Sequence, residues 1–234
     1  MSQQVNSIGH LVRTAVSDSL IEQTISFIWD SLIPWKNDPT RPFTEAEEDL
    51  NAQFHNFLQS RANDIFPMVF FQHEQRQEGR RRVDLSAKPT QSVTIRGVGY
   101  SRYQPIIVIE AKRLPAPAKP REREYVTGGE RVSGGIQRFK LGEHGKEHET
   151  VIMLGYIQKK IPQDWYHCIN AWISELAKTQ SDNWSISELL SEFQNSDSNA
   201  RAQSVSVHPR VKGCKSQTIR ILHFWIQCIS SKNP

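Results

Sequence analysis

Three ionisable residues stand where charge is costly: Asp84 in the segment Arg81-Arg82-Val83-Asp84-Leu85, and Glu110 and Lys112 at the end of the run QPIIVIEAKR, 104–113. A run of β-branched residues ending in Glu-x-Lys reads as a buried strand with two charged side chains at its tip. Side chains alternate along a strand, so Ile106, Val108, Glu110 and Lys112 share one face, and Ile107, Ile109 and Ala111 the other. Glu110 and Lys112 are then about 6–7 Å apart at Cα. A carboxylate and an ammonium on an apolar face are expensive to desolvate. That cost is met only where they pair, bind an ion or line a polar cleft.

Several elements must carry this set. Apolar residues recur at helical spacing from Ile8 to Ile33, with Leu20, Ile21, Ile25, Ile28, Trp29 and Leu32 on one side, which reads as one or two helices with a break expected near Ser17-Asp18-Ser19. A proline-marked linker, 33–43, leads to Thr44 and Glu47, spaced as a capping box that opens a helix running to about Arg61. Segments 67–75 and 80–87 read as strands of a hairpin turning at Glu78-Gly79. Beyond the Glu-x-Lys strand, proline and glycine interrupt 114–135 throughout, which predicts a long loop. Ser133 offers a cap for a short helix within 134–142, 150–158 returns as a buried strand, and 164–178 has helical periodicity. Segments 202–209 and 217–228 are strand-like and flank a basic turn, 210–215.

A chain of 234 residues can bury one good core, and we read it as a single domain with an N-terminal helical segment, 1–43, packing on a main body, 44–234. With 37% hydrophobic and 23% charged residues the composition is that of a folded globular protein. No segment approaches the roughly 20 apolar residues of a membrane span, and the N-terminus has no basic region followed by an apolar core, so a cytoplasmic location is expected. Cys168, Cys214 and Cys228 are too scattered for a disulfide framework or structural zinc. The net charge of +4 is modest, but basic residues cluster at 76–82, 112–123 and 210–215, where they would attract a polyanion.

The order of an acidic helix, a hairpin with Asp84, a strand with Glu110-Ala111-Lys112, a short helix with Gln137 and another strand resembles the PD-(D/E)XK superfamily, the restriction-endonuclease-like nucleases. The resemblance covers about Thr44 to Gln158, with Val83-Asp84 standing where the family name has Pro-Asp. It implies an α/β fold with a restriction-endonuclease-like core, a central mixed sheet of four to six strands flanked by helices. The implied activity is Mg²⁺-dependent hydrolysis of DNA phosphodiesters, with Mn²⁺ as a substitute, by an endonuclease of a bacterial restriction or anti-phage system. Asp84, Glu110 and the Ala111 carbonyl would hold the metal, and Lys112 would orient or help deprotonate the attacking water and stabilise the developing charge. Glu47 or its neighbour Glu48 would be an auxiliary acid and Gln137 a further site residue, while Arg82, Arg113, Lys119 and Arg121 would hold the DNA backbone. A homodimer or a subunit of a defence complex is the expected assembly.

Plainer readings stand beside these. Glu47 could be only the capping-box acid, and Asp84 and Glu110 a charge network with Arg80, Arg82 or Lys112. The fold could also serve as a catalytically silent nucleic-acid-binding or protein-interaction subunit. Glycines 128, 129, 134 and 135 could cradle a phosphate or simply make a loop. Histidines 144 and 148, around the helix-breaking Gly145, read as a polar surface turn, and His208 and His223 as hydrogen-bonded strand residues.

Overall fold

The computed structural model describes residues 11–76, 82–128, 134–179, 183–196 and 200–228. Two helices come first, α1 (Leu11–Lys36) and α2 (Glu47–Ile65). A hairpin follows, β1 (Val69–Arg76) and β2 (Arg82–Pro89), then a small ribbon of β3 (Val93–Ile95) and β4 (Val98–Tyr100). The chain continues through β5 (Ile107–Leu114), α3 (Gly135–Lys140), β6 (Thr150–Ile157), α4 (Pro162–Lys178), β7 (Ser191–Ser196), β8 (Arg201–Pro209) and β9 (Thr218–Gln227).

Seven strands form one mixed sheet in the order β1-β2-β5-β6-β9-β8-β7. Its three middle strands, β5, β6 and β9, are parallel, and the outer ones are antiparallel. The parallel strands are covered on both faces, which is why their sequences are almost continuously apolar. Ile107 and Ile109 of β5, Leu154 of β6 and Phe224 of β9 face α1 and α2. Val108, Met153 and Trp225 face the opposite layer, with Ile136 of α3 and Ile169 and Trp172 of α4. Glu110 and Lys112 alternate with the first set and so belong to the second face. Among the described residues no helix is long and apolar enough to cross a membrane.

Three expectations need correction. The sheet has seven strands rather than four to six; the additional one, β7, is a polar edge strand, SEFQNS, without the alternation that marks a half-buried strand. The first helix does not break at Ser17-Asp18-Ser19 but continues past Pro34 to Lys36. Ser and Asp in a helix cost only tenths of a kcal/mol each, which does not stop a helix whose apolar residues from Leu20 onward pack in the core. Finally, Thr44 does not cap α2. The N-cap is Ala46, and the Thr44 hydroxyl accepts from the Ala46 amide (3.2 Å) and donates to Asp49 (2.9 Å). The turn at Glu78-Gly79, the cap at Ser133, Arg80 and Gly129 lie outside the described residues.

Candidate active site

The antiparallel register of β2 on β5 pairs Leu85 with Ile109 and Ser86 with Val108. Carried one residue further, it sets Asp84 opposite Glu110. There the Asp84 carboxylate Oδ2 accepts the Ala111 backbone N–H at 2.7 Å. Lys112 Nζ lies 3.2 Å from Glu110 Oε1, donates to Glu47 Oε1 at 3.1 Å and donates to the Ala111 carbonyl at 2.8 Å. Glu47 Oε2 accepts the Arg113 backbone N–H at 2.8 Å. Because the cap belongs to Ala46, the Glu47 side chain is not spent on a capping box and joins the site from the first turn of α2. Glu48 is exposed. Four of the residues singled out in sequence thus converge from two strands and one helix.

Two further residues arrive from a direction the sequence did not disclose. Arg138 Nη1 of α3 donates to Glu110 Oε1 at 2.8 Å, and His144 Nδ1 donates to Glu110 Oε2 at 3.0 Å. His144 is only 2% exposed, which overturns its reading as part of a polar surface turn. His148 is buried as well, and Arg210 braces the same turn by donating to the carbonyls of Gly145 and His148. Gln137 is buried, and its Oε1 accepts the Gly128 amide at 3.1 Å; the residue of α3 that reaches Glu110 is the next one, Arg138. Gly134 serves close packing rather than a phosphate cradle or a slack loop, since a Cβ there would fall 2.2 Å from the Thr127 Cα.

Burial, then the facing Glu110 charge, raises the Asp84 carboxyl well above its ordinary range. Burial acts on Glu110 too, but Lys112, the His144 hydrogen bond and Arg138 outweigh it and hold that carboxyl low. Lys112 keeps its proton more tightly than usual: burial opposes the charge, but Glu110, Asp84 and Glu47 overcome it.

The donor set fits a hard divalent cation. Asp84 and Glu110 are facing oxygen donors with the Ala111 carbonyl beside them, and the repulsion stored at Asp84 is what a dication relieves. Each carboxylate offers about four acceptor directions, so Glu110 Oε2 keeps one beyond His144. Two carboxylates and a carbonyl, completed by water, suit Mg²⁺ better than a dense protein cage would. Among the described residues no three His, Cys, Asp or Glu side chains gather into a ready metal-ligating group.

The basic residues spread around this centre. Arg113 reaches Glu45 (3.3 Å). Arg121 pairs with Glu124 (2.7 Å), and its proton is held by Glu124 and, more weakly, by Glu47. Lys119 is exposed beside Arg121, while Arg82 is exposed and paired with Glu74. No family model, no curated protein and no solved structure matches the chain.

Proposed function

We propose that the chain is a metal-dependent nuclease with a restriction-endonuclease-like core that hydrolyses DNA phosphodiester bonds. The observation that carries this reading is the facing pair Asp84 and Glu110, with Lys112 suspended between Glu110 and Glu47. A hard divalent cation such as Mg²⁺, held by Asp84, Glu110 and the Ala111 carbonyl, would supply charge neutralisation at the phosphate and an acidified water. Lys112 acts as a fixed cation. In the metal-free protein its three N–H donors go to Glu110, Glu47 and the Ala111 carbonyl, and the carboxylates hold its proton. A cation taking Glu110 and that carbonyl would free donors to orient the attacking water and stabilise the charge that grows on the phosphate. Glu47 sets the height of Lys112 over the strand, since it ties the ammonium and the next backbone N–H to one carboxylate. In the reaction the water oxygen would form a new bond to phosphorus and give up a proton to solvent, while the bond to the leaving sugar oxygen breaks and that oxygen takes up a proton from solvent. Arg113, Lys119 and Arg121 lie on the chain just beyond Lys112 and supply the contacts to the DNA backbone. Homodimeric action, or recruitment by a defence complex, would set the site on its target.

A second reading has its own observation. Lys112, Arg138 and His144 already occupy both oxygens of Glu110, as they would in a purely structural charge network inside a silent binding subunit. The two readings separate when purified protein is incubated with supercoiled plasmid, linear duplex, single-stranded DNA and RNA, in Mg²⁺, Mn²⁺ or chelator. Cutting of DNA that needs metal and disappears in Asp84→Ala is expected. Binding of DNA without cutting under any condition would favour the silent subunit.

A further inference from the structure

Residues 134–145 wrap around one carboxylate. The Arg138 carbonyl accepts the amides of Glu143 (2.9 Å) and His144 (3.3 Å), so the segment after α3 folds back on its own helix. Gly142 and Gly145, at φ +66° and +60°, make the reversal possible where other residues would be strained. A Cβ at Gly142 would lie 2.5 Å from Cys214 Sγ and one at Gly145 3.1 Å from Val151, so at either position the neighbouring side chain would have to shift. The His144 ring packs edge-on against Phe139 of the same helix. The turn therefore delivers Arg138 to one oxygen of Glu110 and His144 to the other.

We propose that His144 is a positioning residue that sets the affinity of the Asp84–Glu110 pair for a divalent cation by fixing the orientation of the Glu110 carboxylate. This rests on the nuclease reading above for its metal. The physical argument is one of preorganisation. Glu110 is 1% exposed, and without His144 its Oε2 loses the donor that fixes its direction. Lys112 and Arg138 both approach Oε1 and leave rotation of the carboxylate about that oxygen unopposed. His144 is the contact at Oε2. It also leaves that oxygen a second acceptor direction for a cation. Residues that orient a metal-binding side chain in this way are worth about 10- to 100-fold in metal affinity.

The test uses the full chain with His144→Ala, His144→Asn and His144→Gln. An Asn amide reaches about where Nδ1 lies, and a Gln amide overshoots toward Nε2. Mn²⁺ binding is followed by electron paramagnetic resonance without DNA, and the Mg²⁺ concentration for half-maximal plasmid cutting is measured in parallel. His144→Ala should weaken Mn²⁺ binding by about 10- to 100-fold, and His144→Asn should restore it to within a few-fold of the parent. Half-maximal Mg²⁺ should rise in step. Should the alanine variant fail to fold, the Asn and Gln variants decide the matter by the same contrast. Equal Mn²⁺ affinity in all forms overturns the proposal, as does an Asn variant no better than Gln or a parent that binds no Mn²⁺. Mn²⁺ binding that depends on His144 in a protein that cuts nothing would uphold the positioning role and reject the hydrolytic reading instead.

Discussion

At Asp84, burial, the facing Glu110 charge and, more weakly, Glu47 oppose ionisation, while the Lys112 charge and the Ala111 N–H favour it. A carboxyl whose proton affinity is raised by folding adds stability below its unfolded value and loses it as the pH climbs through the folded one. Asp84→Asn should therefore stabilise metal-free protein, by about 1–3 kcal/mol at pH 8, and the gain should shrink toward zero as the pH falls to 4. Urea unfolding of both forms in chelator across that range checks it. A variant less stable than the parent at pH 8 would show that Asp84 is satisfied by its surroundings rather than held in readiness. The same change should remove the stabilisation that Mg²⁺ gives the parent by mass action. At this scale the sequence was informative where local rules apply: Asp84, Glu110 and Lys112 stood out because a period of two puts charge on an apolar face. His144 did not stand out, because its burial comes from a turn folding under a distant strand and leaves no periodic trace in GEHGKEHE.

The short helix α3 is the element on which the site depends most, and six residues cannot hold themselves in place. One side of it reaches Glu110 through Arg138, and the other is anchored by Lys140, whose Nζ pairs with the fully buried Glu188 at 2.5 Å. From Glu188 a buried chain of hydrogen bonds continues through His208 (2.7 Å), Ser206 (2.6 Å) and His223 (2.7 Å) to the Tyr125 hydroxyl (2.9 Å). The Tyr125 carbonyl in turn accepts the Ile136 amide of α3. Glu188→Gln removes the buried carboxylate charge that faces Lys140 and should cost about 3–5 kcal/mol, read from the urea midpoint. A loss below 1 kcal/mol would mean that Lys140 finds water instead. The expectation that His208 and His223 are hydrogen-bonded strand residues matches this chain. The partner Glu188 was not legible, since a short 3₁₀ turn, 186–188, carries no pattern beyond its own three residues. Arg138, the neighbour of Gln137 that reaches Glu110, was not legible for a similar reason: in so short a helix one residue of phase turns a side chain by about 100°.

For the molecule as a whole, the strand order brings groups far apart in sequence to one place. Glu47, Asp84, Glu110 and His144 span 98 positions, 47 to 144, and meet because β2 and β6 flank β5 while α2 and α3 cover opposite faces of the sheet. Alternation and turn residues made six of the seven sheet strands legible; the polar edge strand β7 escaped because its pairing depends on β8 and not on its own side chains. If this convergence is a hydrolytic site, the Lys112 charge is required for cutting. The most direct measurement is Mg²⁺-dependent conversion of supercoiled plasmid by the parent and by Lys112→Met, which keeps the length of the side chain and removes its charge. Cutting by the parent should stop in chelator and fall by at least about 100-fold in the variant, with thermal unfolding still cooperative in both. Equal cutting by Lys112→Met would contradict this site assignment.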